Sequence, residues 1–193
     1  MLIPTSGHAR IRGLDCARDR VELKRHVGYL PDVPAFFDYL TGWELIRFVG
    51  QMHGMDRELL SQRAQLLMTE LDIGDAAGEF VTNYSLGMKK KMGLALALLH
   101  DPEVLILDEP TSGLDPLATR QVQKLIRSYA SSGRSVLLST HVLDMAERQC
   151  DRVAIIARGR LVAEGPPLEL RERVGEDRSL EDAFLALTRD GSP

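Results

Sequence analysis

Cysteine is scarce in this chain of 193 residues. Cys16 and Cys150 are the only two, and their wide separation argues against a disulfide framework and fits a reducing compartment. Long apolar runs are absent too: no stretch approaches the roughly 20 residues that a membrane-spanning helix needs. Any membrane role of these residues must therefore come through a partner. Charge of one sign does not dominate, since 24 Lys and Arg against 28 Asp and Glu leave a net charge of −4. That balance gives no electrostatic footprint for nucleic acid, and no nucleic-acid partner is expected. Aromatics make up only 5% of the chain, so the cluster Phe36-Phe37-Asp38-Tyr39 stands out. No internal repeat or low-complexity segment is visible. One motif is conspicuously missing. None of the five lysines (Lys24, Lys89, Lys90, Lys91, Lys124) follows a glycine, so the phosphate-cradling loop Gly-x-x-x-x-Gly-Lys-[Ser/Thr] does not occur.

What is present is an ordinary globular balance, 44% apolar and 27% charged, with enough chain for one domain with a real core. It is organised around Leu105-Ile106-Leu107-Asp108-Glu109-Pro110-Thr111-Ser112-Gly113-Leu114-Asp115. The apolar run from Val104 predicts a strand buried on both faces. Its C-terminal end delivers two carboxylates to the edge of the sheet where α/β proteins place their ligands. A carboxylate there can hold hydrated Mg²⁺ beside phosphates, and its neighbour can orient or deprotonate a water. Pro110 stops the strand and Ser112-Gly113 signals a turn.

Taken in order, Pro4 to Gly7 read as a turn, and His8 to Arg12 as a short strand closed by Gly13. Val21 to Arg25 predict one or two helical turns. Val27-Gly28-Tyr29-Leu30 predict a strand ended by Pro31, and Asp32 follows between two prolines. Thr41 with Glu44 forms a capping box for a helix with Leu45, Phe48, Val49 and Met52 on one face and Gly54 past its end. Asp56 caps the next helix, whose apolar face is Leu59, Leu60, Ala64, Leu67, Met68 and Leu71. Ser85 caps a helix running to about Leu99, and an N-terminus with a free hydroxyl and glycine suits phosphate. Lys89, Lys90 and Lys91 read as a solvated charge run. Asp115 with Pro116 starts a helix that turns Val122, Leu125, Ile126 and Tyr129 inward. Ser135 to Ser139 predict another buried strand, with His141 just beyond. Val153 to Ile156 and Arg160 to Ala163 predict a hairpin around Gly159. Short helices follow from Pro166-Pro167 and from Ser179, the latter with Leu180, Phe184 and Leu187 on one face.

In this order and spacing, three segments closely resemble the ATP-binding cassette (ABC) ATPases. They are Tyr84-Ser85-Leu86-Gly87-Met88, Val104 to Asp115, and Ser139-Thr140-His141. The combination is far more specific than any member alone. The resemblance implies an α/β P-loop NTPase-like core with a mainly parallel sheet and an inserted helical subdomain over about 41–83. It also implies one partial domain over 1–193, lacking the family's N-terminal strands, phosphate loop and first helix. ATP and Mg²⁺ are the implied cofactors. Asp108 would bind Mg²⁺ through water, Glu109 would act on the attacking water, and His141 would contact the γ-phosphate. Ser85, Leu86, Gly87 and Met88 would form the signature loop that completes a second protomer's site, and Asp115 would line the seam between protomers. Asp32 stands where the family usually carries a Gln that reaches Mg²⁺ and the water, so it is a further candidate for nucleotide and cation contact. The Ser-x-Gly-Met-Lys form departs from the commonest Leu-Ser-Gly-Gly-Gln and is similar to that of export systems. The implied partners are a transmembrane permease subunit and a second ATP-binding subunit, at the inner face of the cell membrane. The layer around Phe36 to Met52 either packs internally or offers a groove to a helix of the permease. A second reading is an interaction module that supplies its signature loop to a complete partner. A soluble ABC factor of DNA repair or translation ranks behind both, because no long coiled coil, second cassette or basic linker is visible.

Overall fold

The computed structural model describes residues 4–175 and 178–189. Contacts divide the chain into two units, one running to Ser139 and the other starting at Thr140.

The first unit opens with a hairpin of β1 (Arg10–Ile11) and β2 (Leu14–Asp15), paired antiparallel. Only the first of these strands is foreseen from sequence. The chain reverses at Arg12 and Gly13, both at positive φ, which lets a two-residue turn close the pair. Helix α1 (Arg20–His26) leads directly into β3 (Val27–Leu30). Next come α2 (Gly42–Met52) and α3 (Arg57–Glu70), then a 3-10 turn at Val81–Asn83 and helix α4 (Leu86–Leu98). The Thr41–Glu44 capping box is fully formed, and the Asp56 carboxylate accepts from the amides of Glu58 and Leu59. Strand β4 (Val104–Asp108), helix α5 (Pro116–Ser131) and strand β5 (Ser135–Ser139) complete the unit.

The sheet is parallel, in the order β3-β4-β5. Strand alternation splits its residues between two faces. Gly28, Leu30, Leu105 and Leu107 are buried on one. Fully burying a leucine there is worth about 1.5–3 kcal/mol. Helix α4 packs on this face at close range. A Cβ on Gly28 would lie 2.1 Å from the Ala97 carbonyl oxygen, and one on Gly93 would lie 2.6 Å from Leu30 Cδ1. Gly28 faces backbone and has no room for a side chain, whereas a Cβ at Gly93 would force the Leu30 side chain to move. Arg63 fastens α3 to the end of α4, donating to the carbonyls of Leu99 (2.7 Å) and Leu98 (2.8 Å).

The opposite face differs from the expectation of strands buried on both sides. Tyr29, Ile106 and Leu137 lie side by side in register. Tyr29 is 57% and Leu137 63% exposed. Burial along β5 alternates: Val136 and Leu138 lie beside Leu105 and Leu107 on the covered face, and Leu137 lies on the open one. Two helix faces are also narrower than periodicity suggests. Leu45 and Ile46 are buried in α2 together with Gly42 and Gly50, while Phe48 and Met52 are exposed; in α3, Leu59 is exposed. In each case the residue sits at the rim of the apolar stripe, where one neighbouring helix cannot cover it.

The second unit holds α6 (Leu143–Gln149), an antiparallel pair of β6 (Val153–Ala157) and β7 (Arg160–Gly165), then α7 (Pro167–Glu172) and α8 (Leu180–Arg189). The hairpin turns at Arg158 and Gly159, both at positive φ. Its core is Ala146, Ile155, Ala163, Leu170 and Leu180, with Phe184 and Leu187 packed against it. Ser179 caps α8 with Asp182: the Asp182 amide donates to Ser179 Oγ (3.1 Å) and the Ser179 amide to the Asp182 carboxylate (3.0 Å).

Candidate functional site

The end of β4 is where the backbone departs from regularity. Asp108 is the last strand residue and pairs with Ser139 of β5. The Ser139 hydroxyl donates to the Asp108 carboxylate, which fixes that oxygen donor at the sheet edge. Glu109 then turns the chain at φ 45. A non-glycine residue in this region costs about 1–3 kcal/mol and persists only where its surroundings hold it. Here they do. The Glu109 amide donates to the Ser139 carbonyl (3.0 Å), and its own carbonyl accepts from the Ser112 amide (3.2 Å) and from Lys90 Nζ (2.9 Å). The twist takes Glu109 out of the strand's alternation.

Lys90 belongs to none of the classes that sequence periodicity suggests for a charge run. It is 1% exposed, whereas Lys89 and Lys91 are only partly covered. Its ammonium group donates to the Asp32 carbonyl, to the Asp32 carboxylate (3.2 Å) and to the Glu109 carbonyl. The reading of all three lysines as a solvated face therefore fails at the middle one. The signal was available: Lys90 shares a helix face with Gly93, Leu94 and Ala97, at the i, i+3, i+4 and i+7 spacing of a buried stripe. Ser139, a strand residue and motif member in sequence, has no site role there; its register places it opposite Asp108.

A second grouping lies at the start of α4. Ser85 is its N-cap, and its hydroxyl accepts from the Met88 amide (3.2 Å). Gly87 faces the turn after Glu109: a Cβ there would lie 3.5 Å from Leu114 Cδ2 and 3.8 Å from the Gly113 carbonyl. Leu86 covers Gly113, which is at φ 74 and has no room for a side chain. Asp115 caps α5, accepting from the amides of Leu117 and Ala118 (2.9 Å each). These bonds, that of Ala118 first, hold its carboxyl below the usual range, with Lys91 adding positive charge. The structure thus joins Asp32, Lys90, Asp108, Glu109 and Ser139 in one constellation, and Ser85 to Gly87 with Gly113 to Asp115 in another. His141 is exposed and lies in the second unit, two residues beyond β5.

Chemically, the β4 end offers hard oxygen donors, which suit Mg²⁺ that keeps its waters and takes phosphate oxygens. Among the described residues no cluster of three or more His, Cys, Asp or Glu could cage an ion alone. A site that shares its metal with substrate phosphates needs only one or two carboxylates. The residues here fit the metal-and-water side of a phosphate-handling site.

A parallel sheet ending in paired carboxylates, with a glycine-bearing helix N-terminus nearby, defines an α/β protein of the phosphate-handling class. Comparison with known proteins gives the family. The family model described as ABC transporter matches residues 1–112. An ABC-type transporter ATP-binding protein of Bacillus subtilis, EcsA, is 33% identical over 98% of this chain and 77% of its own length. A probable multidrug ABC transporter ATP-binding protein of Escherichia coli, YbhF, is 32% identical over 98% of this chain and 33% of its own length. A solved structure of an ATP-binding subunit of an ABC transporter superposes with a TM-score of 0.89 at 32% identity, covering 96% of this chain and 78% of that one. The chain belongs to the ABC transporter ATP-binding family. It spans about a third to half of the length of several curated relatives, 33% of YbhF and 45% of a cyanobacterial relative from Synechocystis.

Proposed function

We propose that this chain is the ATP-binding and ATP-hydrolysing part of a transporter, driving a membrane subunit through nucleotide-dependent pairing of two such chains. The observation that carries the reading is the β4 end, where Ser139 fixes Asp108 and three hydrogen bonds hold Glu109 in a left-handed backbone. Strain kept in place by its surroundings is a mark of positioned chemistry. Asp108 is the candidate holder of Mg²⁺ through water, and Asp32 a second one. Bound Mg²⁺ would neutralise phosphate charge as it develops. Glu109 orients the attacking water and takes its proton. His141 contacts the γ-phosphate. Ser85, Leu86, Gly87 and Met88 present the N-terminus of α4 to nucleotide held by the second chain, and Asp115 lines the seam.

The partner reading draws support from a groove of about 450 Å³ lined by Phe36, Phe37, Phe48, Val49 and Leu96 among others. Phe37 and Phe48 meet edge to face at 5.4 Å. An apolar trough of this kind takes a short amphipathic helix, here one from a permease at the inner face of the membrane. Two relatives are named as multidrug and daunorubicin/doxorubicin resistance proteins, which favours export.

The test is ATP turnover by the natural full-length protein and its Glu109→Gln variant. Turnover should fall by about a hundredfold or more while ATP remains bound. Normal turnover by the variant would sink the role of Glu109. If the natural protein binds no ATP yet stimulates hydrolysis by a complete partner, the interaction-module reading replaces this one.

A further inference from the structure

We infer that Lys90 is a positioning residue that sets Glu109 against the Asp32 segment, so that the two strand ends flanking the reaction move as one. The inference rests on the ATPase reading for its kinetic consequence, but its geometry stands alone.

A lysine ammonium has three donors and no acceptor. Buried, it is stable only with partners for its charge and its hydrogens. Lys90 finds three: the main-chain carbonyl of Asp32, the Asp32 carboxylate and the main-chain carbonyl of Glu109. Asp32 lies two residues past β3, and Glu109 lies one past β4. The bridge therefore spans the C-terminal ends of adjacent strands, and at Glu109 it takes the main-chain carbonyl. Asp32 remains half exposed, so the contact holds its carboxylate without hiding it.

The sequence builds this reach one helical turn at a time. α4 runs against β3 in the opposite sense. Ala97 meets Gly28, Gly93 meets Leu30 and Pro34, and Lys90 meets Asp32. The two glycines bring the helix close enough for the side chain to thread between the strand ends. With Glu109 already in a strained backbone, the ammonium supplies one of the three bonds that hold it. Binding at the Asp32 segment can then alter Glu109 through one side chain that touches no substrate.

The experiment compares the natural full-length protein with Lys90→Met and Lys90→Arg, measuring ATP turnover and amide hydrogen exchange. Lys90→Met should lower kcat by about a hundredfold, as misplacement of a reacting group by about 1 Å does, with KM for ATP changed less than about threefold. Exchange at the Glu109 and Ser112 amides should quicken at least about tenfold, while Val122 and Ile126 in α5 stay protected. Lys90→Arg keeps charge and donors and should recover most of the turnover. If Lys90→Met does not fold, Lys90→Arg and the exchange at Glu109 and Ser112 decide. An Arg variant that keeps most of the turnover and native exchange at those two amides supports the positioning role, because the bridge is then retained. An Arg variant with no turnover but native exchange overturns it. Unchanged turnover in Lys90→Met, or uniform loosening of the whole chain, also overturns it. If the natural protein shows no turnover but exchange at Glu109 and Ser112 responds to Lys90→Met, the ATPase reading fails and the positioning role stands.

Discussion

The two faces of the three-stranded sheet divide the labour of the first unit. On the closed face, glycine and leucine alternate so that α4 can press against β3, and Leu30, Leu105 and Leu107 are buried. On the open face, Tyr29, Ile106 and Leu137 form a row that ends, by the same alternation, in Asp108 and Ser139. Stability is concentrated on one side and the oxygen donors stand at the edge of the other. Lys90 is the exception: it comes from the closed side and reaches the strand ends. A charge can be buried among leucines when two backbone carbonyls and a carboxylate take its hydrogens.

The strongest way to break this comparison is the same truncation on each face. Leu105→Ala, at a fully buried site, should cost about 3 kcal/mol in urea unfolding. Leu137→Ala should cost about 0.5 kcal/mol or less, as exposed substitutions do. Equal costs would mean that the open face is covered in solution. Next in size is Gly28→Ala. Its Cβ would meet a backbone carbonyl, which cannot swing aside, so α4 must shift and stability should fall by about 2 kcal/mol. A neutral result would show that α4 can move away from β3 at little cost.

Much of this was legible in the chain. Thr41, Asp56, Ser85, Asp115 and Ser179 each announce a helix start because a cap is a local event, settled within three residues. The β4 strand and its Asp108-Glu109 end were legible for the same reason. What escaped depends on neighbours far along the chain. The burial of Lys90 needs Asp32, 58 residues away, and Glu109, 19 away. The left-handed turn at Glu109 needs Ser139 and Lys90 together. The exposure of Leu137 depends on which face of the sheet the rest of the chain covers, which a short apolar run does not reveal.

A smaller effect sharpens the division between stability and chemistry. Glu109→Gly removes a side chain from a position at φ 45 and should stabilise the chain by up to about 1 kcal/mol. It should abolish turnover at the same time. A loss of stability greater than about 1 kcal/mol would show that the Glu109 side chain, rather than its backbone, holds the turn together.

The smallest effect lies at the far end of α4, on the rim of the closed face. His53 and His100 stack with ring centroids 3.8 Å apart and planes within 12°. Burial first, then the neighbouring charge of His53, pushes the His100 pKa down to about 4, and burial lowers that of His53 as well. The folded state therefore binds fewer protons than the unfolded one between about pH 4 and the ordinary histidine value near 6.5. Stability must rise with pH across that window and fall as the solution is acidified through it. The two residues are only partly buried, so the expected loss is on the order of 1 kcal/mol rather than the full shift. Carboxylates titrate over the lower part of the same range, so the wild-type slope alone does not isolate the pair. His100→Phe keeps a ring against His53 and removes the proton site. The two curves should diverge in slope between pH 6.5 and pH 4 and run parallel above pH 7, where the histidines are largely neutral in either state. Parallel curves across the whole range would show that the stacked pair does not sense protons and that α4 is anchored at this end by packing alone.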